Sequence, residues 1–467
     1  MLFLLLACVP DPCAGEQCDS NADLPDETDS PAETDETDET DETDETDETD
    51  ETDETEIPDW NTPQVLDIYI LAGQSNMDGY SFVTGLPPSY LEDNGVRLYW
   101  SGWGTFLPLA PASSGGAQYT GPEVALGHGL AAAGRSFALV KHAVSGTNLS
   151  SYWHPGDSAD DPSQGEGWTT LLATMQSAAA ELDAIGHDWH WAGLVWMQGE
   201  SDALTPDLAA AYGENLARLI ARVREETATP DLPAVVGLIA CDGLCNYMDE
   251  VRAGQAEVAD ADPLVTLVET LDLTRNPFDP YHYDGTASRQ LGSRFASAIL
   301  GEPQEPAVSA ALKVVSSEQN YDGDFTVGWV FTLDRTITLT DVGAFGLYEN
   351  ELRANTEMAI WDADTQALVL TETIPHWYVF FTSWRDGFWY MGIDPVTLDP
   401  GTYVVGLQAL AGDEDHYADN ALVVEGSGLV VTAGAYHTGL GLTYPETQFA
   451  ADAGAVSFLG PSFLYLE

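Results

Sequence analysis

Apolar residues follow two patterns along this chain, and the change falls near residue 301. Before it, compact apolar runs alternate with longer amphipathic stretches. The runs Val65–Ala72, Phe137–Val144, Ala192–Met197, Ala234–Ala240 and Leu264–Glu269 each read as a buried strand. Pro206–Thr227 is the clearest helix. Leu208, Tyr212, Leu216, Leu219 and Val223 line one side of it and charges the other. A further helical stretch runs from Thr286 to Leu300. Alternation of this kind predicts an α/β domain over residues 59–303, with a parallel sheet covered on both faces.

Gly301–Pro306 (GEPQEP) breaks the last helix and reads as a linker. Beyond it come short β-type runs: Thr336–Leu339, Met358–Trp361 and Thr402–Val405. Turn signals at Asp322-Gly323, Asp386-Gly387 and Asp399-Pro400-Gly401 separate them. No helical period appears, which predicts an all-β sandwich over residues 304–467. Its aromatic residues Trp377, Tyr378, Trp384, Trp389 and Tyr390 suit either stacking on sugar rings or core packing.

The N-terminal stretch is of a third kind. Leu5-Leu6-Ala7-Cys8 looks like a bacterial lipobox, in which Cys8 is acylated. It departs from the usual signal in having no Lys or Arg before a short apolar core. The expectation is a signal and anchor region over residues 1–20 and a chain exported to the bacterial surface or outer membrane, otherwise secreted. Residues 21–58 follow, in which Asp-Glu-Thr recurs seven times from Asp35 to Thr55. So charged a segment cannot offset the entropy of ordering, and the expectation is a disordered, extended spacer.

Charge narrows the partners. The chain has 77 Asp plus Glu against 14 Lys plus Arg. Residues 1–59 hold 24 of the acids and no base, so the remainder carries a net charge of −39. That disfavours nucleic acid, whose phosphates need a basic patch. Contact with anionic lipid is disfavoured too, except through an anchor. The cysteines are Cys8, Cys13, Cys18, Cys241 and Cys245. With Cys8 lipidated, Cys13 with Cys18 and Cys241 with Cys245 are disulfide candidates in an oxidising compartment. Cys241-x-x-x-Cys245 has no second pair at metal spacing, so no metal is expected.

Four blocks carry candidate chemistry, each beside a strand end. Gly73-Gln74-Ser75-Asn76-Met77-Asp78-Gly79 follows the first apolar run. A serine in a tight turn at a helix start can attack a carbonyl while backbone N–H groups receive the oxyanion. Val144-Ser145-Gly146-Thr147-Asn148-Leu149 follows the second run and Trp196-Met197-Gln198-Gly199-Glu200-Ser201-Asp202 the third. In Asp279-Pro280-Tyr281-His282 the aspartate can reach the imidazole three residues on, fixing its tautomer. Asp284 is the nearest competitor for that acid role.

These blocks, in this order, resemble those of the SGNH hydrolases, in their sialate O-acetylesterase and acetylxylan esterase branch. The resemblance covers residues 62–300. It implies a flavodoxin-like three-layer α/β/α domain, Ser75 as nucleophile, His282 as base and Asp279 as orienting acid. It places oxyanion donors at Ser75 and Gly146. Many members have an asparagine in the third block. Here Gln198 is favoured as the remaining donor, because a carboxylate cannot donate, with Glu200 as a loop-fixing acceptor. The activity implied is removal of O-acetyl groups from glycans, without metal or organic cofactor. Trp100, Trp103, Trp153 and His154 either line the sugar site or pack. The alternatives are a lipase or thioesterase of the same fold, or a non-catalytic glycan-binding surface protein.

Overall fold

The computed structural model describes residues 59–111, 119–241, 243–276, 279–320, 323–346, 355–375, 383–411, 417–451 and 455–467. The expectations for Cys8, Cys13, Cys18, the acidic repeat, Trp377 and Tyr378 fall outside them. Seven strands build the first sheet: β1 (Val65–Gly73), β2 (Arg97–Trp100), β3 (Phe106–Pro108), β4 (Phe137–Ala143), β5 (Asp188–Met197), β6 (Ala234–Gly237) and β7 (Val265–Val268). Their order is β3-β2-β4-β1-β5-β6-β7. Only the β2–β3 edge pair is antiparallel.

The central strand β1 pairs with β4 up to Gly73↔Ala143 and with β5 up to Gly73↔Met197. Three strands therefore end level at one edge. Carboxyl ends of strands in open α/β sheets are where ligands gather. The helices are α1 (Ser75–Asp78), α2 (Glu123–Ala132), α3 (Glu166–Ile185), α4 (Pro206–Glu226), α5 (Met248–Ala261) and α6 (Gly285–Leu300). They cover both sides of β1. Leu66, Ile68, Ile70 and Ala72 share a core with Trp168 of α3 and Leu216 of α4. Tyr69 and Leu71 face the other way, into a core with Leu126 of α2 and Phe295 of α6. A strand buried on both faces has no polar side, and that is why β1 is apolar from Ile68 to Ala72; Asp67 falls in its less buried first part.

Differences from the sequence expectation have simple causes. β5 begins at Asp188, earlier than the apolar run, because its first residues alternate between exposed and part-buried. Leu238, Ile239 and Ala240 are buried but lie beyond the end of β6. β2 and β3 are only four and three residues long, too short to show a period.

The C-terminal part is all β. One sheet runs in the order Leu368–Ile374, Thr356–Asp362, Gly401–Ala409, Phe325–Leu333, Leu429–Thr438, Thr447–Ala450. Another runs Ser309–Ala310, Pro461–Leu466, Ile337–Phe345, Phe388–Leu398, Ser383–Arg385. Inward residues of both, such as Trp329 and Phe331 from one and Phe388 and Phe463 from the other, share a single core. The rings of Trp329 and Phe463 stack at 5.8 Å. Trp389 and Tyr390 are buried in that core and Trp384 packs on it. Trp389 and Tyr390 thus serve core packing, and Trp384 does so in part.

The Gly301–Pro306 stretch joins the two parts and is tied down. Gln304 Oε1 accepts from Glu269 N–H at 2.8 Å, and Arg294 Nε donates to the Glu305 carbonyl at 2.9 Å. The stretch is tied to the α/β part at both residues. The two parts meet along the first turns of α6. Buried Asp341 accepts from Thr286 Oγ1 at 2.7 Å and from the Arg289 guanidinium. Ser383 Oγ accepts from Thr286 N–H and donates to Thr286 Oγ1, both at 3.0 Å. Removing one partner of a buried ion pair strands the other. We therefore expect Asp341→Ala to cost about 3–5 kcal/mol of stability, read as a lower midpoint in chemical denaturation. A midpoint equal to wild type would show that this contact does not hold the parts together.

Candidate active site

The site is built on the carboxyl edge of β4, β1 and β5. β1 closes at Gly73, with φ +151°, where a Cβ would lie 2.0 Å from the Met197 carbonyl oxygen. Only glycine allows the backbone that close approach. The chain then turns through Gln74 into α1, whose first residue is Ser75. Beneath the turn lies a fully buried ion pair. Lys141 Nζ donates to Glu123 Oε2 and to the Asp78 carbonyl, each at 2.8 Å. The carbonyl bond holds the end of α1 on β4.

Three side chains of the first block lock the neighbouring loops. Gln74 Oε1 accepts from Gln198 Nε2 at 3.1 Å, Ser201 N–H at 3.2 Å and Gly199 N–H at 3.4 Å. Asn76 Nδ2 donates to Glu200 Oε1 at 2.6 Å and to the Tyr281 carbonyl at 3.3 Å, while its Oδ1 accepts from Tyr283 N–H at 3.3 Å. Asn76 thus joins the serine turn, the third block and the segment that bears His282. Asp78 Oδ2 accepts from Ser145 Oγ at 3.1 Å. Burial pushes the carboxyl groups of both Asp78 and Glu200 above the usual range.

Ser75, Gly146, Glu200 and His282 line one cleft of about 240 Å³, together with Gln74, Ser145, Ser201, Leu204 and Tyr281. Gly146 has φ +71°, a left-handed backbone, and a Cβ there would meet open space. Asp279 stands behind the histidine, its Oδ2 2.6 Å from His282 Nδ1. That hydrogen bond holds the Asp279 carboxyl below the usual carboxylate range. The ring of Tyr80 stacks on His282 at 4.2 Å and 8°. Cys241 and Cys245 form a disulfide, with Cys245 Sγ 3.7 Å from the Glu200 carbonyl.

Two assignments change. Gln198 is fully buried and does not line the cleft. Its Nε2 donates to Gln74 Oε1, the Thr147 carbonyl at 3.0 Å and Asp202 Oδ2 at 2.6 Å. Its amide hydrogens are spent on joining the second and third blocks, so the oxyanion role expected for it is withdrawn. Asp284 is no rival to Asp279. Its carboxylate caps α6 by accepting from Ala287 N–H at 2.9 Å, and takes Thr274 Oγ1 at 2.6 Å. Glu200 accepts through Oε1 from Asn76 Nδ2. Trp153 is core, Trp103 packs on Trp100, and His154 lies outside the cleft. The sequence reading missed the roles of Gln74, Asn76, Tyr80 and Lys141. Gln74 and Asn76 flank the serine in its own block, the one signal that would have pointed to them.

The sequence profile of the family described as "Carbohydrate esterase, sialic acid-specific acetylesterase" matches residues 65–301, half of the chain. The chain belongs to this family. It is therefore an ester hydrolase, a carbohydrate esterase, and the matched residues contain the whole cleft. A probable carbohydrate esterase from Arabidopsis thaliana is 35% identical over 107 residues, which is 23% of this esterase and 39% of that protein's length. A solved structure from Arabidopsis thaliana has 23% identity and a TM-score of 0.43, covering 51% of this esterase and 98% of that chain. The solved structure of a carbohydrate acetylesterase from Xanthomonas citri has 16% identity and a TM-score of 0.39, with 84% and 79% covered.

Proposed function

We propose that this esterase removes O-acetyl groups from glycans through an acetyl-serine intermediate on an SGNH-type domain. One observation carries the proposal: Ser75, Gly146 and His282 share a small cleft, and Asp279 engages the histidine through Nδ1. Nδ1 is thereby occupied, leaving Nε2 for the serine. Ser75 Oγ attacks the ester carbonyl and its proton passes to His282 Nε2. The imidazolium is held by the Asp279 carboxylate, which stays ionised. The Ser75 N–H, at the first residue of α1, and the Gly146 N–H receive the oxyanion. The sugar alcohol departs with the proton from His282. Water then attacks the acetyl-serine, with His282 again as base.

The size of the cleft favours a short acyl group. At about 240 Å³ it is below the range of pockets that enclose a drug-sized molecule. Hydrolysis of p-nitrophenyl acetate is expected to exceed that of p-nitrophenyl decanoate in kcat/KM by roughly tenfold or more. Acetate should also be released from acetylated xylan. A preference for the decanoate would favour the lipase reading instead.

A further inference from the structure

Beside the catalytic cleft lies a second depression of about 330 Å³, lined in part by Asp78, Tyr80, Trp100, Tyr119 and Ser145. Ser145 lines both depressions. Tyr80, which stacks on His282, forms part of the second. A molecule in the second depression therefore lies next to the catalytic histidine.

The walls suit a sugar ring. Tyr80, Trp100 and Tyr119 are part-exposed aromatic residues facing one space. Tyr80 and Tyr119 sit 5.6 Å apart, and Trp103 braces Trp100 edge-on at 5.5 Å. A Cβ at Gly102 would lie 2.5 Å from the Trp100 ring, so that ring is also held from beneath. Rigid aromatic faces receive the C–H faces of a pyranose. Asp78 and Ser145, already joined by a hydrogen bond, present acceptor oxygens to its hydroxyls.

The charge pattern is one-sided. Among the described residues that line the two depressions there is no Lys or Arg, whereas Asp78 lines one and Glu200 the other. The cation beneath, Lys141, is wholly buried and bonded to Glu123 and the Asp78 carbonyl. A carboxylate on the substrate needs charge-assisted donors to replace its water. Here it meets two carboxyl groups on a chain whose residues after 59 carry a net charge of −39.

We propose that the second depression is the sugar-ring subsite of this esterase, and that it takes a neutral O-acetylated sugar in preference to an anionic one such as a sialate. The proposal rests on the acetylesterase reading above.

The test uses the whole protein and three substrates: p-nitrophenyl acetate, acetylated xylo-oligosaccharide and 9-O-acetyl-N-acetylneuraminic acid. Wild type should favour the neutral oligosaccharide over the sialate by at least about tenfold in kcat/KM. Raising the salt should narrow that gap by screening the repulsion. Trp100→Ala and Tyr119→Ala should each lower kcat/KM for the oligosaccharide on the order of tenfold more than for p-nitrophenyl acetate, mostly through KM. Trp100→Phe should recover part of the loss. Equal losses on both esters, or none, would overturn the subsite. A sialate preference in wild type would overturn the neutral-sugar assignment. Failure of the acetylesterase reading looks different, because p-nitrophenyl acetate would then not be cleaved, or would be cleaved equally well by Ser75→Ala.

Discussion

Ser75→Ala is expected to lower kcat for p-nitrophenyl acetate by roughly 10⁶-fold, the scale at which loss of a nucleophile leaves only binding and the oxyanion donors. The fold should survive. Ser75 starts α1 without serving as its N-cap residue, which is Gln74, and alanine is at least as good a helix former. The bonds of Gln74 and Asn76 that fix the turn come from side chains on either side of the serine. Melting curves of the two proteins should therefore overlay while the rates part. Retention of more than about a tenth of the wild-type rate would show that another group attacks the ester, since a triad nucleophile is worth orders of magnitude more.

The second large effect is expected at Asp279. Asp279→Asn keeps the size of the side chain and puts an amide against His282 Nδ1, where a carboxylate now accepts at 2.6 Å. The imidazole loses the partner that fixes its tautomer, and a fall of about 10⁴ in kcat is expected, with KM little changed. Asp284 supplies the contrast. As the N-cap of α6, Asp284→Ala should cost about 1 kcal/mol of stability with a far smaller effect on kcat. If the two variants exchanged these outcomes, the acid would be Asp284. The pH dependence has a definite sign. The bond to His282 depresses the Asp279 pKa, so its contribution to stability is present above the unfolded-state value of about 3.9 and is lost as the pH falls through the lower folded value. The Asn variant should lack that component of acid unfolding.

Much of this site was legible because the chemistry coincides with strand ends. β1 is buried on both faces, so its apolar run marks both the strand and the point where the serine turn begins. Asp279 and His282 were legible by spacing, although they do not share a helical turn. They lie on one strand-like segment where the pairing register jumps between Arg275↔Tyr283 and Asn276↔Asp279. Gln198 was misread because its chemistry says that it can donate and not where it points. It is buried in the floor beneath the cleft, where Gln74, Thr147 and Asp202 take its hydrogens. The contact between α6 and the all-β part was illegible for a related reason. Arg289 and Asp341 are 52 residues apart, and nothing local marks them as partners. The Gly-Pro punctuation at 301–306 reports where a helix stops; it carries no information on whether the next segment is tied down.

The central claim is that Ser75 carries the acyl group, and active-site labelling tests it most directly. The whole protein is treated with a serine-directed fluorophosphonate, the remaining activity is measured, and the adduct is located by peptide mass spectrometry. The account predicts one adduct per chain, on the peptide that contains Ser75, with esterase activity falling in step with labelling. Full activity with Ser75 labelled, or complete inhibition with the adduct on another residue, would contradict it.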